Sequence, residues 1–345
     1  MNEATSEIPS SRPATWTLVL GFALVYLSWG TTYLAIQAGV RDEHLPPALF
    51  GGTRVCLAGI VLLTYLALRG QPLAMPRQDW ARVLLVSLLL FVAGNGLVNV
   101  AERTVHSGVT AVLAATTPLW IGLFEMLWPG GERLTGRGWL GLTLGLAGVL
   151  LVLADKLKDA DGFLQEAGPF LVLGSAGSWA LGSLVLRHKR LACSHLAAAA
   201  YQMVIGGGSL ALIGCIAGEL QRLPEHVTPG AIAAFVYLLI VGSLVGFVSF
   251  NWLLGHVPAA KVSTYAYVNP VVAVFVGWWL AAERIDIWFA AGLIVILTGV
   301  ALVRHGERPS RLPLSPAAPV GQSIPGSAGH RVRTEGAVCS AKNDP

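Results

Sequence analysis

The chain has 345 residues, 54% of them hydrophobic and 12% charged, with a net charge of +4 and a mean hydropathy of +0.64. Soluble domains carry about 25% charged residues, so a deficit spread along the whole length excludes a water-soluble globular chain and makes lipid the solvent of the fold. The small basic excess points to orientation in a membrane and away from nucleic acid. Cys56, Cys193, Cys215 and Cys339 form neither a C-x-x-C nor a His/Cys cluster, so no metal site and no disulfide framework is expected.

Residues 1–15 hold Glu3, Glu7 and Arg12 and lack both a basic leader and a small-x-small cleavage site. They are expected as a cytoplasmic N-terminus followed by a retained membrane helix, not a removed signal. Crossing the hydrocarbon core takes about 20 mostly apolar residues. The first such run, Trp16–Ala38, sets Tyr26, Trp29, Tyr33 and Gln37 at steps of three, four and four, which is one helical face. An interfacial belt suits Gln37 but not Trp29 in mid-span, so Trp29 and Tyr33 are candidate cavity residues, with tight helix packing as the alternative. The second run, Pro46–Leu68, contains Arg54, the one basic residue well inside a span. An ionised side chain at a helix centre costs at least about 2.5–3.5 kcal/mol on insertion scales. Arg54 should therefore face the bundle interior and meet a partner such as Glu102, or an anionic group of a substrate.

The third run, Trp80–Ala101, places Asn95, Asn99 and, just beyond it, Glu102 on one face. Amides at depth need hydrogen-bond partners because hydrocarbon offers none; they are either glue between helices or the polar wall of a cavity. Glu102, near the outer end, reads as a solvated carboxylate beside Arg103, or as a proton-coupling candidate if it is buried. The fourth run, Ser107–Trp128, carries Pro118 directly after Thr116-Thr117, and Glu125 near its inner end, where snorkelling into the headgroups is expected. The fifth, Gly138–Ala154, is short and rich in glycine. The sixth, Gly168–Leu186, contains Ser178-Trp179, and the seventh, Leu196–Ala217, contains Gln202 near the place that Arg54 takes earlier. The eighth, Gly230–Leu254, ends close to Asn251. The ninth, Val257–Ala281, holds Lys261, Tyr265 and Asn269 on one face with Pro270 next to Asn269, and the tenth is Ile285–Val303. Residues 304–345, rich in Pro, Ser, Gly and Ala, are expected as a disordered cytoplasmic tail.

The ten runs repeat. Asn99–Val152 lies on Asn251–Val303 with one gap, matching Asn99 with Asn251, Pro118 with Pro270, Glu132-Arg133 with Glu283-Arg284, Gly141 with Gly292 and Gly148-Val149 with Gly299-Val300; upstream, Ser28-Trp29 matches Ser178-Trp179. Each half thus has five spans, 16–154 and 168–303, and an odd number turns the second half upside down relative to the first. With the N-terminus inside, sixteen Lys and Arg fall on the inner side and six on the outer, so both termini are expected in the cytoplasm. The expected fold is an all-α integral membrane protein of ten transmembrane helices in two inverted five-helix repeats, with a binding site near the midplane between the halves. Gly141, Gly145, Gly148, Gly292 and Gly299 mark close packing or a dimer face, and the two Glu-Arg pairs are candidate caps of the helices that follow them.

Four stretches carry a family resemblance: S-W-G-T-T-Y from Ser28, G-N-G-L-V-N-V-A-E from Gly94, A-T-T-P-L-W from Ala115 and Y-A-Y-V-N-P-V-V-A-V from Tyr265. With these the chain resembles the EamA-type drug/metabolite transporters from about Trp16 to Val303. The resemblance implies a ten-helix inner-membrane carrier, mostly an exporter of amino acids, metabolites or drugs. The cavity candidates are Trp29, Tyr33, Arg54, Asn95, Asn99, Trp179, Gln202, Asn251, Tyr265 and Asn269; Glu102 is the candidate for proton coupling, and Pro118 and Pro270 for helix kinks. The partners expected are the bilayer and a small-molecule substrate, with monomer and homodimer both open. No cofactor is expected, and the absence of G-x-x-x-x-G-K-[ST], of a His pair at i, i+4 and of G-x-S-x-G leaves ATP-driven pumping by this chain alone without support. An importer or exchanger of the same fold, and a membrane-embedded enzyme or scramblase, are the alternatives.

Overall fold

A computed structural model of the chain describes residues 13–129, 134–152, 167–188, 193–257, 265–283 and 285–306. Every regular element among them is helical. Ten helices follow one another: α1 Thr15–Gln37, α2 Pro47–Leu68, α3 Arg77–Ala101, α4 Ser107–Leu127, α5 Gly136–Val152, α6 Gly168–His188, α7 His195–Ile216, α8 over 229–256, α9 Tyr265–Ala281 and α10 Ile287–Gly306. Seven are long and apolar enough to cross a membrane, and α5, α9 and α10 supply three shorter apolar helices. At 1.5 Å per residue the 23 residues of α1 cover about 34 Å, slightly more than a hydrocarbon core of about 30 Å. Exposed Leu27, Leu57, Leu146, Phe275 and Trp279 on the outer faces suit lipid, where apolar exposure carries no penalty. The positions of Lys261, Glu132, Arg133 and Arg284, the side chain of Asn251, the last residues of the fifth expected span and those before Tyr265 in the ninth, residues 1–12 and the tail beyond Gly306 lie outside the described residues.

Local chemistry starts the helices. Pro47 and Pro229 occupy the first turns of α2 and α8, where a missing N–H costs nothing. Ser194 caps α7 by accepting from Ala197 N–H at 3.2 Å, Thr228 caps α8 by accepting from Ala231 N–H at 3.0 Å, and Asp286 caps α10 by accepting from Phe289 N–H at 2.7 Å.

Two glycine seams join the halves. In the first, α2 lies on α7: a Cβ at Gly52 would stand 2.3 Å from Ala211 N, and one at Gly207 2.4 Å from Cys56 N. In the second, α5 lies on α10: a Cβ at Gly141 would stand 2.5 Å from the Gly299 carbonyl oxygen, and one at Gly148 2.8 Å from Ile296 N. These glycines hold backbone against backbone within one chain, so the dimer-face reading of Gly141, Gly148, Gly292 and Gly299 is replaced by an internal seam. Each seam pairs a helix with its own counterpart in the other repeat. Helices α1, α3, α4, α6, α8 and α9 surround what lies between the seams.

Helices α3, α4 and α8 are interrupted or distorted in mid-span. Helix α4 is interrupted at Ala115-Thr116, ahead of Pro118, between Ser107–Ala114 and Thr117–Leu127. Proline cannot donate to the carbonyl four residues back, and Thr117 Oγ1 donates to that Ala114 carbonyl in its place at 2.7 Å. Helix α9 runs unbroken through Pro270, and beside it the buried Oδ1 of Asn269 accepts no hydrogen bond among the described residues. In α3, Leu88–Asn95 widens into a π-helix, and in α8 the corresponding eight residues Leu238–Val245 do the same. A π turn shifts carbonyls out of register with the N–H groups four residues on. Side chains of the other half take them up: Ser175 and Ser178 of α6 donate to the carbonyls of Gly94 (2.6 Å) and Leu89 (2.8 Å), and Trp29 of α1 donates to that of Gly242 (3.2 Å).

Candidate functional site

Between the seams lies a cavity of about 500 Å³. Helix α1 presents Trp29 and Tyr33 to it, α2 Arg54, α3 Asn95, α4 Thr117 and Pro118, α6 Trp179 and Arg187, α8 Phe247, and α9 Tyr265, Asn269 and Pro270. Both repeats therefore build the lining, and the two prolines and two tryptophans matched by the internal repeat face one space.

One wall is aromatic. Trp29 packs on Phe247, Phe250 and Tyr265 with ring centroids 5.4, 5.1 and 5.0 Å away, the last edge-on at 87°. Trp179 approaches Phe91 at 6.4 Å. Gly246 admits the Trp29 indole, since a Cβ there would lie 2.4 Å from Nε1. Such walls offer flat apolar groups stacking and edge contacts, each worth about 0.5–1.5 kcal/mol beyond area burial.

The facing wall is polar. Arg54 is 3% exposed and donates from a terminal nitrogen to Asn95 Oδ1 at 3.1 Å. Asn99 Nδ2 donates to the same oxygen at 3.1 Å. Arg54 Nε and Asn99 Oδ1 are buried without a hydrogen bond among the described residues. The direct partner of Arg54 is thus Asn95, and Glu102 acts on it only through the field. Asn99 stands behind Asn95 and does not line the cavity. Gln202 is buried in α7 and does not line it either, so the structure gives Arg54 no neutral counterpart in the lining from α7.

Glu102 corrects the solvated reading: it is fully buried, one residue past the end of α3, and among the described residues its two oxygens make no hydrogen bond of ordinary geometry. Burial, helped by the carboxylate of Glu283, pushes its carboxyl well up from the usual carboxylate range, against the opposing pull of Arg54 and the Gln37 backbone. Gln37 is likewise not interfacial; it is buried and accepts from Ser107 N–H at 2.7 Å. Glu125 does not snorkel. It is 6% exposed and held by His188 at 2.9 Å and Arg187 at 3.7 Å, with Trp128 stacked on the His188 ring at 5.2 Å. That cluster closes on the end of the bundle where α1 begins, whereas Glu102 and Gln37 belong to the opposite end.

Sequence reasoning missed Ser175, Ser178, Arg187, His188 and the π segments of α3 and α8. The signal for the π segments is small residues in mid-span, Gly94-Asn95-Gly96 and Gly242-Ser243 with Gly246. Glu283, expected to cap the following helix, instead crosses to α4, and Asp286 takes the cap of α10. Among the described residues no three His, Cys, Asp or Glu side chains converge as metal ligands. What the arrangement can do is hold a solute with a flat or apolar body and one anionic or polar group.

Residues 16–154 and 166–304 each match the profile of the "EamA-like transporter family". Over 303 residues the chain is 37% identical to the "Uncharacterized inner membrane transporter YedA" of Escherichia coli (strain K12), covering 87% of this chain and 92% of that one. It is 26% identical to the "Uncharacterized transporter YoaV" of Bacillus subtilis (strain 168), covering 82% of this chain and 95% of that one. It is 24% identical to the "Probable amino-acid metabolite efflux pump" of Escherichia coli (strain K12), covering 83% and 94%. A solved crystal structure at 20% identity superposes with a TM-score of 0.59 over 86% of this chain and 99% of that one, which concerns the fold alone.

Proposed function

The chain belongs to the EamA-like transporter family, and from that premise we propose that it is a secondary carrier of the inner membrane that exports small metabolites by alternating access. The observation that carries this reading is the cavity of about 500 Å³ between the two repeats, lined from both. Trp29, Tyr33, Trp179 and Tyr265 stack on the apolar body of the solute. Arg54, Asn95 and Asn269 meet its polar groups, and Asn99 fixes Asn95. Glu102 carries the coupling proton. The interrupted α4 and the proline-bearing α9 are the helices that move. Both termini are cytoplasmic, as the sixteen-to-six distribution of Lys and Arg favours. Names of relatives support the membrane and the direction: one is called an inner membrane transporter, another an efflux pump.

The test is flux in oriented vesicles, with a metabolite panel and an imposed pH gradient. Accumulation in inside-out vesicles, driven by an acidic lumen, is expected. Uptake confined to right-side-out vesicles makes the protein an importer and overturns the direction.

A further inference from the structure

The loop from α9 to α10 sends one carboxylate into the other half of the molecule. Ala282, at φ 51°, turns the chain back so that Glu283 N–H donates to the Gly277 carbonyl at 3.1 Å. A non-glycine residue in the left-handed region is uncommon and persists only where the surroundings fix it. The Glu283 side chain then reaches the first turn of α4. Its Oε1 accepts from Ser107 N–H (3.1 Å) and Ser107 Oγ–H (2.6 Å), and its Oε2 accepts from Gly108 N–H (3.0 Å). A carboxylate is favoured there, because the first N–H groups of a helix have no partner inside it and its dipole end is positive.

The socket is built for this group. A Cβ at Gly108 would stand 2.8 Å from Oε2, and one at Gly277 2.6 Å from it, so a glycine on each of the two helices leaves room for the same oxygen. Gln37 of α1 completes the seat by sharing Ser107 N–H. The socket joins α1 and α4 of the first repeat to α9 of the second, at the end of the bundle away from Arg187. One turn further along α4 stands Ala111, which lines the cavity and is 1% exposed.

We propose that Glu283 is the latch of that far end: seated on the first turn of α4, its carboxylate holds α4 against α9 while the cavity is shut there, and it leaves the socket when the cavity opens there. Glu283 touches no solute in this role; it positions the two helices that bear the prolines. The proposal rests on the alternating-access reading, and its test needs no flux.

The four cysteines are replaced and a single cysteine is placed at Ala111. A membrane-impermeant maleimide is then applied to right-side-out and inside-out vesicles separately. Labelling through the far-end face is expected to be slow with Glu283 in place and about fivefold faster or more in Glu283→Ala, the lower range of couplings usual for conformational equilibria. Gly277→Ala keeps the charge but crowds Oε2, so it should raise labelling from the same face and carries the test if Glu283→Ala does not insert. Unchanged rates in inserted protein, or a rise from the near-end face alone, overturn the latch. Raised far-end labelling in a protein that moves no solute in the flux assay removes the carrier reading and leaves the latch standing.

Discussion

Trp29 meets three rings and one backbone carbonyl, and each contact belongs to the second repeat. Removing the indole forfeits ring contacts of about 0.5–1.5 kcal/mol apiece. Trp29→Ala is therefore expected to lower flux by roughly one to two orders of magnitude with normal membrane levels, and Trp29→Phe by less; full flux in an inserted Trp29→Ala protein counts against the cavity assignment. Glu102 makes a different kind of prediction. Its carboxyl titrates higher in the folded protein than in the unfolded chain, so between those two values the folded state holds a proton that the unfolded state has lost. Stability then falls as pH rises from the ordinary carboxylate range towards the raised value. Thermal unfolding in detergent should show that fall in the wild type, and Glu102→Gln should lack that component; parallel pH profiles would contradict it. Asn95 completes the residue scale: Asn95→Leu strands the buried guanidinium, and a hydrogen bond to a charged group contributes about 1.5–3 kcal/mol. A clear drop in unfolding temperature in detergent is expected, and an unchanged one would show that Arg54 draws its support elsewhere. Trp29, Tyr33 and Asn95 were readable because helical spacing fixes which residues share a face. Glu102, Glu125 and Gln37 were not, because burial depends on what another helix lays over that face, and spacing within one helix carries no such information.

The glycine seams decide how the elements meet. Gly141→Ala puts a methyl group 2.5 Å from the Gly299 carbonyl oxygen, and overpacking of that kind costs about 1–3 kcal/mol. Gly136, at the start of the same helix, has nothing within 4 Å of an added Cβ. Gly141→Ala should lower the unfolding temperature in detergent and Gly136→Ala should not; equal effects would mean that helix propensity and not the seam sets the stability of α5. The glycines announced close packing in the sequence, but not against which helix, since a small face fits any partner equally well. Pro118 announced its break through the missing N–H, although the same chemistry at Pro270 leaves α9 unbroken. The π segments left only their mid-span glycines as a signal, which close packing explains equally well, because one extra residue in a turn leaves composition and hydropathy unchanged. Only the serines of α6 and the indole of α1, placed against the displaced carbonyls by tertiary packing, make the distortion intelligible.

At the scale of the whole molecule, two inverted repeats of five helices were legible because matched prolines, tryptophans and glycines recur at nearly constant offset, while the cavity between them had to await the fold. The orientation has its own test. Reporter fusions after Arg190 and after Arg222 flank α7 and are expected to report opposite sides of the membrane, the first cytoplasmic; the same side for both would refute the order of spans. The seam between α5 and α10 also bears on how the chain is made. Helix α5 emerges from the ribosome while half of the protein is still untranslated, and domains fold from the N-terminus as synthesis proceeds. Its glycine face can then meet only lipid or a neighbour that will later be displaced, because its backbone partner is the last span to be inserted. The first repeat is finished by the final helix of the second, and a chain stopped before Ile287 would be left with an open groove along α5, a mark by which quality control in the membrane could tell an incomplete copy from a complete one.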